Sequence, residues 1–394
     1  MLNTFRTELQ DYWKEKEFQE PTPVQEQLFT EASKGGNVIA VSPTGTGKTL
    51  AYLLPILNKI EANKTLQAIV LAPSQELVIQ IGEVAREWGK TVGIKTQTLI
   101  GGANIKRQID KLKEKPELII ATPGRFIELT SKTKKIKVHL VETIVFDEAD
   151  YLFKDEHKGT LATIQQSLMR DVQKVYASAT ITDAFVKELQ VENQEIEVIR
   201  VDSQESVSQI QHHFITVNNR NKADELKRLA QMDDMRAMVF FEQIHQIEEV
   251  AAKLIYGNVP VVVLHSDASK QEREYAIRAF KNHDVTYLLT TDVASRGMDI
   301  SEVPYVIHYN RVQDSRTYTH RSGRTGRMNS EGTVISLLNQ QEFNDLANIL
   351  KEENITVTEK VLKNRVLIDP SEANESTSQG NHKPKQIKNK RKRK

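Results

Sequence analysis

The chain has 394 residues, 39% hydrophobic and 27% charged, which is the composition of an ordinary soluble protein and a length sufficient for two or three domains. It contains no cysteine, which excludes disulfides, thiolate zinc sites, iron–sulfur clusters and cysteine nucleophiles and favours a reducing, cytoplasmic location. The formal net charge is +1, and no apolar run approaches the roughly 18 residues of a membrane helix, so we expect no membrane partner.

Short apolar runs alternate with segments of helical spacing along the first 200 residues, at 37–41, 68–72, 118–121, 143–146, 174–177 and 196–201. A polar stretch without periodicity follows, and the rhythm restarts with runs at 214–217, 237–241, 259–264, 286–289, 306–309 and 334–337. Strands that alternate with helices in this way predict an α/β fold with parallel sheets. We therefore expect two tandem parallel-sheet domains, at 1–202 and 210–369, joined by a short linker at 203–209.

Residues 370–394 hold eight basic and two acidic residues, whereas the remaining 369 residues hold 46 basic and 51 acidic residues. The net charges are therefore +6 for this tail and −5 for the body. The tail contains a single aliphatic residue, Ile387, and no aromatic one, so we expect it to be disordered. An electrostatic arm for nucleic acid, a localisation signal and a solubilising tail all fit this composition.

Unusual polar clusters follow the ends of these apolar runs. The run at 37–41 leads into SPTGTGKT, the run at 143–146 into DEAD, and the run at 174–177 into SAT. Ligands of open α/β sheets bind at the carboxyl ends of the strands. The clusters are therefore expected to converge on one rim in each domain.

Residues 42–49 end in the G-K-T of a phosphate-binding loop, although Ser42 stands where the usual pattern has its first glycine. The glycines would let backbone N–H groups approach phosphate, Lys48 would supply positive charge, and Thr49 would offer a hydroxyl to Mg²⁺. A merely structural glycine turn is the alternative when this segment is read alone. The predicted nucleotide-binding residues of the loop are Thr44, Gly45, Thr46, Gly47, Lys48 and Thr49.

The acids of the DEAD segment, Asp147, Glu148 and Asp150, stand at and beyond the end of an apolar run. A buried carboxylate is costly unless its charge is compensated, and Mg²⁺ opposite Lys48 and Thr49 would compensate it. Asp147 is then the metal-side carboxylate and Glu148 the base for water. A helix cap with acids in the first turn is the alternative for this segment alone.

The segment YTHRSGRTGR, residues 318–327, places Arg321, Arg324 and Arg327 at every third position, with glycines between them. Guanidinium groups suit the charge that develops on a transferred phosphoryl group, so we interpret Arg324 and Arg327 as arginine fingers from the second domain. Hydrolysis would then require both domains to close around one nucleotide.

Together, the DEAD, SAT and HRSGRTGR segments resemble those of DEAD-box RNA helicases of superfamily 2, and the resemblance covers residues 15–340. It implies two RecA-like domains, ATP and Mg²⁺ as cofactors, and RNA as partner. FQEPTPVQ, residues 18–25, resembles the Q motif, in which Phe18 would stack on adenine and Gln25 would bond its edge. TTDVASRGMD, residues 290–299, resembles motif V, which implies Thr291 at RNA and Asp299 at the ATP ribose.

The resemblance also implies that Ser178 and Thr180 couple the ATP state to domain closure through bonds to the DEAD acids, Asp150 among them, with His320 in the interdomain network. It places a further set of residues along the RNA groove: Pro73, Gln75, Gly102, Thr122, Gly124 and Arg125. Gln75 departs from the family pattern, which has arginine there, and Glu17 and Lys270 depart from it as well. These departures concern RNA affinity rather than ATP hydrolysis.

The function that follows is an ATP-dependent RNA helicase that opens short duplexes locally or remodels RNA–protein complexes. The compact core with a short basic tail resembles the bacterial members, for which ribosome assembly is the expected setting, and we expect a monomer. An ATP-dependent RNA clamp without productive unwinding is the alternative, because an arginine is absent at Gln75 and no large accessory domain is evident. A DNA helicase fits less well, because no strand-separating module is evident.

Overall fold

The computed structural model describes residues 1–43, 45–192, 195–201, 210–265, 267–295, 300, 303–326, 331–351 and 355–372. The chain forms two compact units: among the described residues, the first holds 1–201 together with 292–295 and 300, and the second holds 210–291, 303–326 and 331–372. The expected linker and residues 373–394 of the expected tail lie outside the described residues. Within those ranges, every helix is too short or too polar to cross a bilayer.

Nine α-helices and seven strands lie within the described part of residues 1–201, which make up most of the first unit. The strands are β1 (Asn37–Val41), β2 (Ala68–Leu71), β3 (Thr96–Leu99), β4 (Leu118–Ala121), β5 (Thr143–Asp147), β6 (Gln173–Ser178) and β7 (Ile196–Arg200). The helices are α1 (Thr7–Glu15), α2 (Pro23–Ser33), α3 (Lys48–Lys59), α4 (Gln75–Thr91), α5 (Ile105–Lys111), α6 (Pro123–Lys132), α7 (Ala149–Leu152), α8 (Asp155–Ser167) and α9 (Asp183–Glu192).

All strand pairs of this unit are parallel, in the order β3-β4-β2-β5-β6-β1-β7. Successive side chains of a strand point to opposite faces of the sheet. Alternate residues of a strand therefore belong to two different apolar clusters, one on each face. Val38 and Ala40 belong to one apolar cluster, whereas Ile39 between them belongs to the other. The sheet is therefore covered on both faces, as parallel sheets are, which explains the continuous apolar runs in the sequence.

The second unit has seven parallel strands in the order β10-β11-β9-β12-β13-β8-β14, followed by an antiparallel hairpin of β15 and β16. Its strands are β8 (Ile210–Thr216), β9 (Ala237–Phe241), β10 (Val261–Leu264), β11 (Tyr287–Thr291), β12 (Tyr305–His308), β13 (Gly332–Leu338), β14 (Thr358–Glu359), β15 (Val361–Lys363) and β16 (Val366–Ile368). Its α-helices within the described residues are α10 (Lys222–Leu229), α11 (Ile244–Tyr256), α12 (Lys270–Lys281), α14 (Ser315–Ser322) and α15 (Gln340–Leu350), whereas α13 (Asp292–Ser295), which follows β11 in the chain, belongs to the first unit.

The expected fold class, two parallel-sheet α/β units, is confirmed, and each of the twelve apolar runs overlaps a strand. Strand β3 was not predicted, because Leu99 is the single apolar residue of TQTL, which lies at a sheet edge with alternate residues buried. The predicted start of β8 was also four residues late, because Ile210–His213 is largely polar. The short strands β14, β15 and β16 were not foreseen at all.

Helix α4 lies close against β3 because it contains glycine at the contact. A Cβ atom added to Gly82 would stand 2.2 Å from Cγ2 of Thr98, a distance that real Cβ atoms do not reach. Glycine inside a helix costs about 1 kcal/mol relative to alanine, so its presence here reflects packing. This packing positions the N-terminus of α4, where Gln75 lies, beside the end of β3.

Candidate functional site

The ends of three neighbouring strands bring together the phosphate-loop, DEAD and SAT segments. Strands β5, β6 and β1 are adjacent in the sheet, with Asp147 paired in register with Ala177 and Val41 with Ser178. The Ser42 N–H donates to the Ser178 carbonyl at 3.1 Å, which extends the pairing into the loop. The expected convergence on one rim is therefore observed for the first unit.

The phosphate loop takes a backbone conformation that requires glycine. Gly45 and Gly47 have φ angles of 84° and 87°, in the left-handed region that residues with a Cβ atom avoid. Lys48 begins α3, and its ammonium group donates to the carbonyls of Ser42 and of Pro43, the latter at 2.7 Å. The lysine is thus held over its own loop, while the first turn of α3 presents N–H groups suited to an anion.

Helix α2 supports this loop through the two residues of its capping box. The Thr22 hydroxyl donates to the Thr46 carbonyl at 2.8 Å, and the Gln25 amide donates to the Gly47 carbonyl at 3.4 Å. A Cβ atom at Gly47 would stand only 2.4 Å from Nε2 of Gln25, so this glycine is also needed for the contact. Gln25 therefore touches the loop directly, and its bond to adenine remains a prediction.

Phe18 lies at the edge of an aromatic cluster. Its ring meets Trp13 edge-on at 5.2 Å and lies nearly parallel to Trp88 at 6.0 Å, yet 42% of the residue is exposed. An exposed ring held by neighbouring rings offers a planar apolar surface. Stacking of adenine on Phe18 is compatible with this position and remains a prediction.

Asp147 is buried at the end of β5, with 4% of the residue exposed, and both of its carboxylate oxygens accept hydrogen bonds. Oδ1 accepts from the Glu148 N–H at 3.0 Å, and Oδ2 accepts from the hydroxyl of Tyr52 on α3 at 2.9 Å. Burial, and then the neighbouring Glu148 carboxylate, raise the pKa of Asp147 to about 7. A cation at this carboxylate would relieve that electrostatic cost.

Tyr52 on α3 was not among the predicted site residues. The signal was available in the helical spacing, because a residue three or four positions beyond Thr49 and Lys48 lies on the same helix face. Tyr52 is 1% exposed, and burial together with the Asp147 charge raises its pKa well above its ordinary value. It is therefore a neutral donor to Asp147.

Glu148 stands in the left-handed region with φ of 52°, unusual for a residue with a side chain. Such a conformation costs of order 1 kcal/mol and persists where the surrounding structure enforces it, often at functional sites. Here it joins β5 to α7 within a single residue. The strain supports a functional role for Glu148 over a simple helix cap, since its side chain makes no capping bond.

Asp150 connects the DEAD and SAT segments. The Ser178 hydroxyl donates to Oδ1 of Asp150 at 2.6 Å, and the Thr180 hydroxyl donates to Oδ2 at 3.2 Å. Ser178 and Asp150 are buried, so these bonds are shielded from water. The three residues expected to act together are thus in contact, and their role in coupling stays a prediction.

The residues expected to line an RNA groove cluster at the ends of β2, β3 and β4. The side-chain amide of Gln75 lies close to Gly101 and Gly102. A Cβ atom added to Gly101 would stand 3.4 Å from Nε2 of Gln75, and one added to Gly102 would stand 3.8 Å from the same atom. Arg125 on α6 donates to the Ala103 carbonyl at 3.1 Å and so joins that helix to the same loop.

The start of α6, which follows β4, forms a second part of the surface where the predicted RNA-binding residues lie. A Cβ at Gly124 would meet no atom within 4 Å, so packing does not explain the glycine. Thr122 is the N-cap residue of α6, and Pro123 occupies the first position of the helix. Pro73 lies two residues beyond the end of β2, at the same edge of the sheet. All six expected RNA residues of the first unit therefore lie at strand carboxyl ends.

In the second unit, helix α14 carries His320, and Arg324 follows its C-terminus. Arg321 is buried, and its guanidinium lies over the ring of Phe240 at 5.2 Å, a contact within the second unit. Thr291 ends β11. Three expected site residues, Thr44, Asp299 and Arg327, lie outside the described residues.

Two family models match the chain: DEAD/DEAH box helicase over residues 22–189 and helicase conserved C-terminal domain over residues 221–329. The chain therefore belongs to the DEAD-box ATP-dependent RNA helicases, which are ATP-hydrolysing enzymes. The first match spans the phosphate loop, the DEAD and SAT segments and the RNA-groove residues described above.

Among its relatives, the chain is 42% identical to the probable ATP-dependent RNA helicase YfmL of Bacillus subtilis, over 91% of this chain and 96% of that protein. It is 43% identical to the DEAD-box ATP-dependent RNA helicase CshC of Bacillus cereus, over 91% and 92%. A solved structure of S. cerevisiae Dbp5 bound to RNA and ADP BeF3 matches 95% of this chain and 96% of its own, at 29% identity and a TM-score of 0.81.

Proposed function

We propose that this protein uses ATP to unwind short RNA duplexes locally or to remodel RNA–protein complexes, acting as a cytoplasmic monomer in ribosome assembly. The observation that carries the ATP part is the buried Asp147 beside the glycine-dependent loop that ends in Lys48. The RNA part is supported by the cluster of Gln75, the double glycine and Arg125 at the neighbouring strand ends.

The chemistry assigns separate tasks to the residues of the first unit. Backbone N–H groups of the loop and the Lys48 ammonium would bind the phosphates, whose charge they offset. Glu148, displaced from the regular strand by its left-handed backbone, would accept the proton of the attacking water. Arg324 and Arg327 of the second unit would stabilise the charge that develops during phosphoryl transfer.

Thr49 and Asp147 form a suitable donor set for Mg²⁺. Both offer hard oxygen atoms, and the Asp147 carboxylate is buried where a cation lowers the cost of its charge. When bound, Mg²⁺ would neutralise negative charge on the nucleotide phosphates. The bonds from Tyr52 and from the Glu148 N–H would hold the carboxylate in one orientation for this purpose.

Closure of the two domains on single-stranded RNA would couple hydrolysis to strand opening. Asp150, Ser178 and Thr180 would transmit the nucleotide state to that closure, because their bonds join two segments of the nucleotide rim. The closed groove would hold one strand in a shape that a regular duplex cannot adopt, so binding energy would favour separation of the strands.

The test is the ATPase rate of the purified protein with RNA and with DNA of the same sequence. We expect RNA to stimulate hydrolysis far more than DNA, and Glu148→Gln to abolish most of the stimulated rate while retaining ATP binding. Equal stimulation by RNA and DNA would refute the RNA assignment.

A second candidate function is an ATP-dependent RNA clamp, which Gln75 favours because it supplies no charge to a phosphate at the groove. Displacement of a short labelled strand distinguishes the two functions. ATP-dependent release of the strand supports the helicase, whereas tight ATP-dependent binding without release supports the clamp.

A further inference from the structure

Two segments of the first unit are strongly basic although the body of the chain is acidic. Residues 105–115 hold five basic and two acidic residues, and residues 131–139 hold four basic and no acidic residues, for a combined net charge of +7. All nine basic side chains are exposed. We call them the basic face: Lys106, Arg107, Lys111, Lys113, Lys115, Lys132, Lys134, Lys135 and Lys137.

Packing of the first unit joins these two segments into one surface. The Lys135 ammonium donates to the Ile109 carbonyl on α5 at 3.1 Å. Ile109 on the first segment and Ile136 on the second pack into the same apolar cluster. The basic residues are therefore neighbours in space, although 15 residues, 116–130, separate the two segments in the sequence.

The acidic groups nearby leave most of this charge uncompensated. Asp110 pairs with Lys113 at 2.8 Å, and Glu128 pairs with Lys132 at 2.7 Å. Lys113, and more weakly Lys135, lower the pKa of Asp110, as expected inside a positive field. Within the described part of the chain, only Lys113 and Lys132 of the basic face form an ion pair, and seven residues form none: Lys106, Arg107, Lys111, Lys115, Lys134, Lys135 and Lys137.

The basic face begins where the candidate RNA rim ends. Helix α5 follows the Gly101–Gly102 loop after two residues, and Asn104 caps it by accepting from the Arg107 N–H at 3.1 Å. Arg125 ties α6, whose C-terminus bears Lys132, to the same loop. At 1.5 Å per residue, the seven residues of α5 span about 10 Å, so its basic residues lie within a short distance of the loop.

The composition of the face favours a nucleic acid over a protein as its partner. Eight of the nine residues are lysine, which is depleted in protein–protein interfaces, and only one is arginine. Lysine side chains contact phosphates as mobile point charges, without reading bases, and gain free energy from counterion release.

We propose that the basic face binds the phosphate backbone of RNA that flanks the strand held at the rim, so that the protein prefers long or structured RNA to a short single strand. This inference rests on the proposed RNA function and adds a second contact surface to it. The partner is recognised by its charge density alone, so the contact is independent of sequence and sensitive to salt.

A fourfold variant of the full-length protein tests the proposal: Lys111→Gln, Lys134→Gln, Lys135→Gln and Lys137→Gln. Binding of oligouridylate of about 10 and about 30 nucleotides is measured by fluorescence anisotropy at several salt concentrations. Loss of three or four phosphate contacts reduces the salt slope for the long RNA by about 2, so its affinity at low salt falls about tenfold relative to the short RNA.

A matched control removes four exposed lysines from other helices and turns of the same unit: Lys14→Gln, Lys34→Gln, Lys59→Gln and Lys187→Gln. The control variant lowers the net charge by the same amount as the basic-face variant. Its affinity for the long RNA relative to the short RNA should equal that of the unmodified protein. Circular dichroism verifies that both variants are folded. If the affinity for the long RNA relative to the short RNA falls equally in both variants, the change in net charge alone explains the effect and the proposal is wrong.

The outcomes separate this inference from the proposed function. If the unmodified protein binds neither RNA, the RNA function itself fails. If the unmodified protein binds both RNAs and the basic-face variant has the same ratio of affinities and the same salt slope, this inference is wrong while the proposed RNA function stands. The basic face would then be a binding surface for an acidic protein.

Discussion

The bond between Tyr52 and Asp147 permits a sharp test of how the nucleotide site is organised. Tyr52→Phe removes one oxygen atom and keeps the ring that fills the core. The hydroxyl donates to Oδ2 of Asp147 at 2.9 Å, and both residues are buried, so water does not replace the lost donor. The substitution therefore changes the support of a single carboxylate oxygen.

The magnitude follows from the strength of a buried hydrogen bond to a charged group, about 1.5–3 kcal/mol. If that free energy holds Asp147 in its working orientation, the rate of ATP hydrolysis falls about 10- to 150-fold. The Mg²⁺ concentration that gives half-maximal nucleotide binding should rise by a similar factor. Binding of nucleotide without Mg²⁺ should change little, since Tyr52 contacts the carboxylate and not the loop.

Two measurements distinguish this role from simple loss of stability. Fluorescent-nucleotide titrations at several Mg²⁺ concentrations report the affinity, and thermal unfolding reports the fold. Tyr287→Phe is the matched control, because that buried hydroxyl in the second unit donates to the Leu226 carbonyl at 2.8 Å. It should cost comparable stability and leave the Mg²⁺ dependence unchanged.

One result would refute the reasoning about Tyr52. If Tyr52→Phe and Tyr287→Phe give the same hydrolysis rates and the same Mg²⁺ dependence, the tyrosine only fills space. The orientation of Asp147 would then come from the Glu148 N–H alone.

Three further predictions concern other parts of the structure. Gly47→Ala should weaken ATP binding at least tenfold in calorimetry, because the φ angle of 87° disfavours alanine and its Cβ atom would stand 2.4 Å from the Gln25 amide. The control Gly36→Ala, where a Cβ atom meets nothing within 4 Å, should bind ATP normally. Equal ATP affinities of the two variants would contradict this prediction. Gln75→Arg should tighten RNA binding and steepen its salt dependence by about 0.7, and an unchanged slope would place residue 75 away from phosphates. Burial, and then His213, lower the pKa of His212 from 6.5 to about 4, so the unfolded chain binds more protons between these values. Stability is therefore complete above about pH 6.5 and falls towards pH 4, by up to about 3 kcal/mol for this group. In urea titrations, His212→Gln should show a smaller loss between pH 7 and pH 5, and parallel curves for both proteins would exclude the effect.

The sequence by itself determined the strand–helix order, because a parallel sheet covered on both faces requires continuous apolar runs that are visible without a structure. It also determined which residue types end the strands, and hence the class of chemistry on the rim. It did not reveal β3 or the strands after α15, since half-buried edge strands lack an apolar run.

Only the tertiary structure decided which side chains meet. Tyr52 and Asp147 lie 95 positions apart in the chain, and the bond between them depends on how α3 packs against β5. Arg321 belongs to the same arginine series as Arg324, yet it is buried with its guanidinium over the ring of Phe240. The basic face likewise exists only because Ile109 and Ile136 pack into one core. Contacts of this kind depend on long-range packing, which local sequence patterns do not encode.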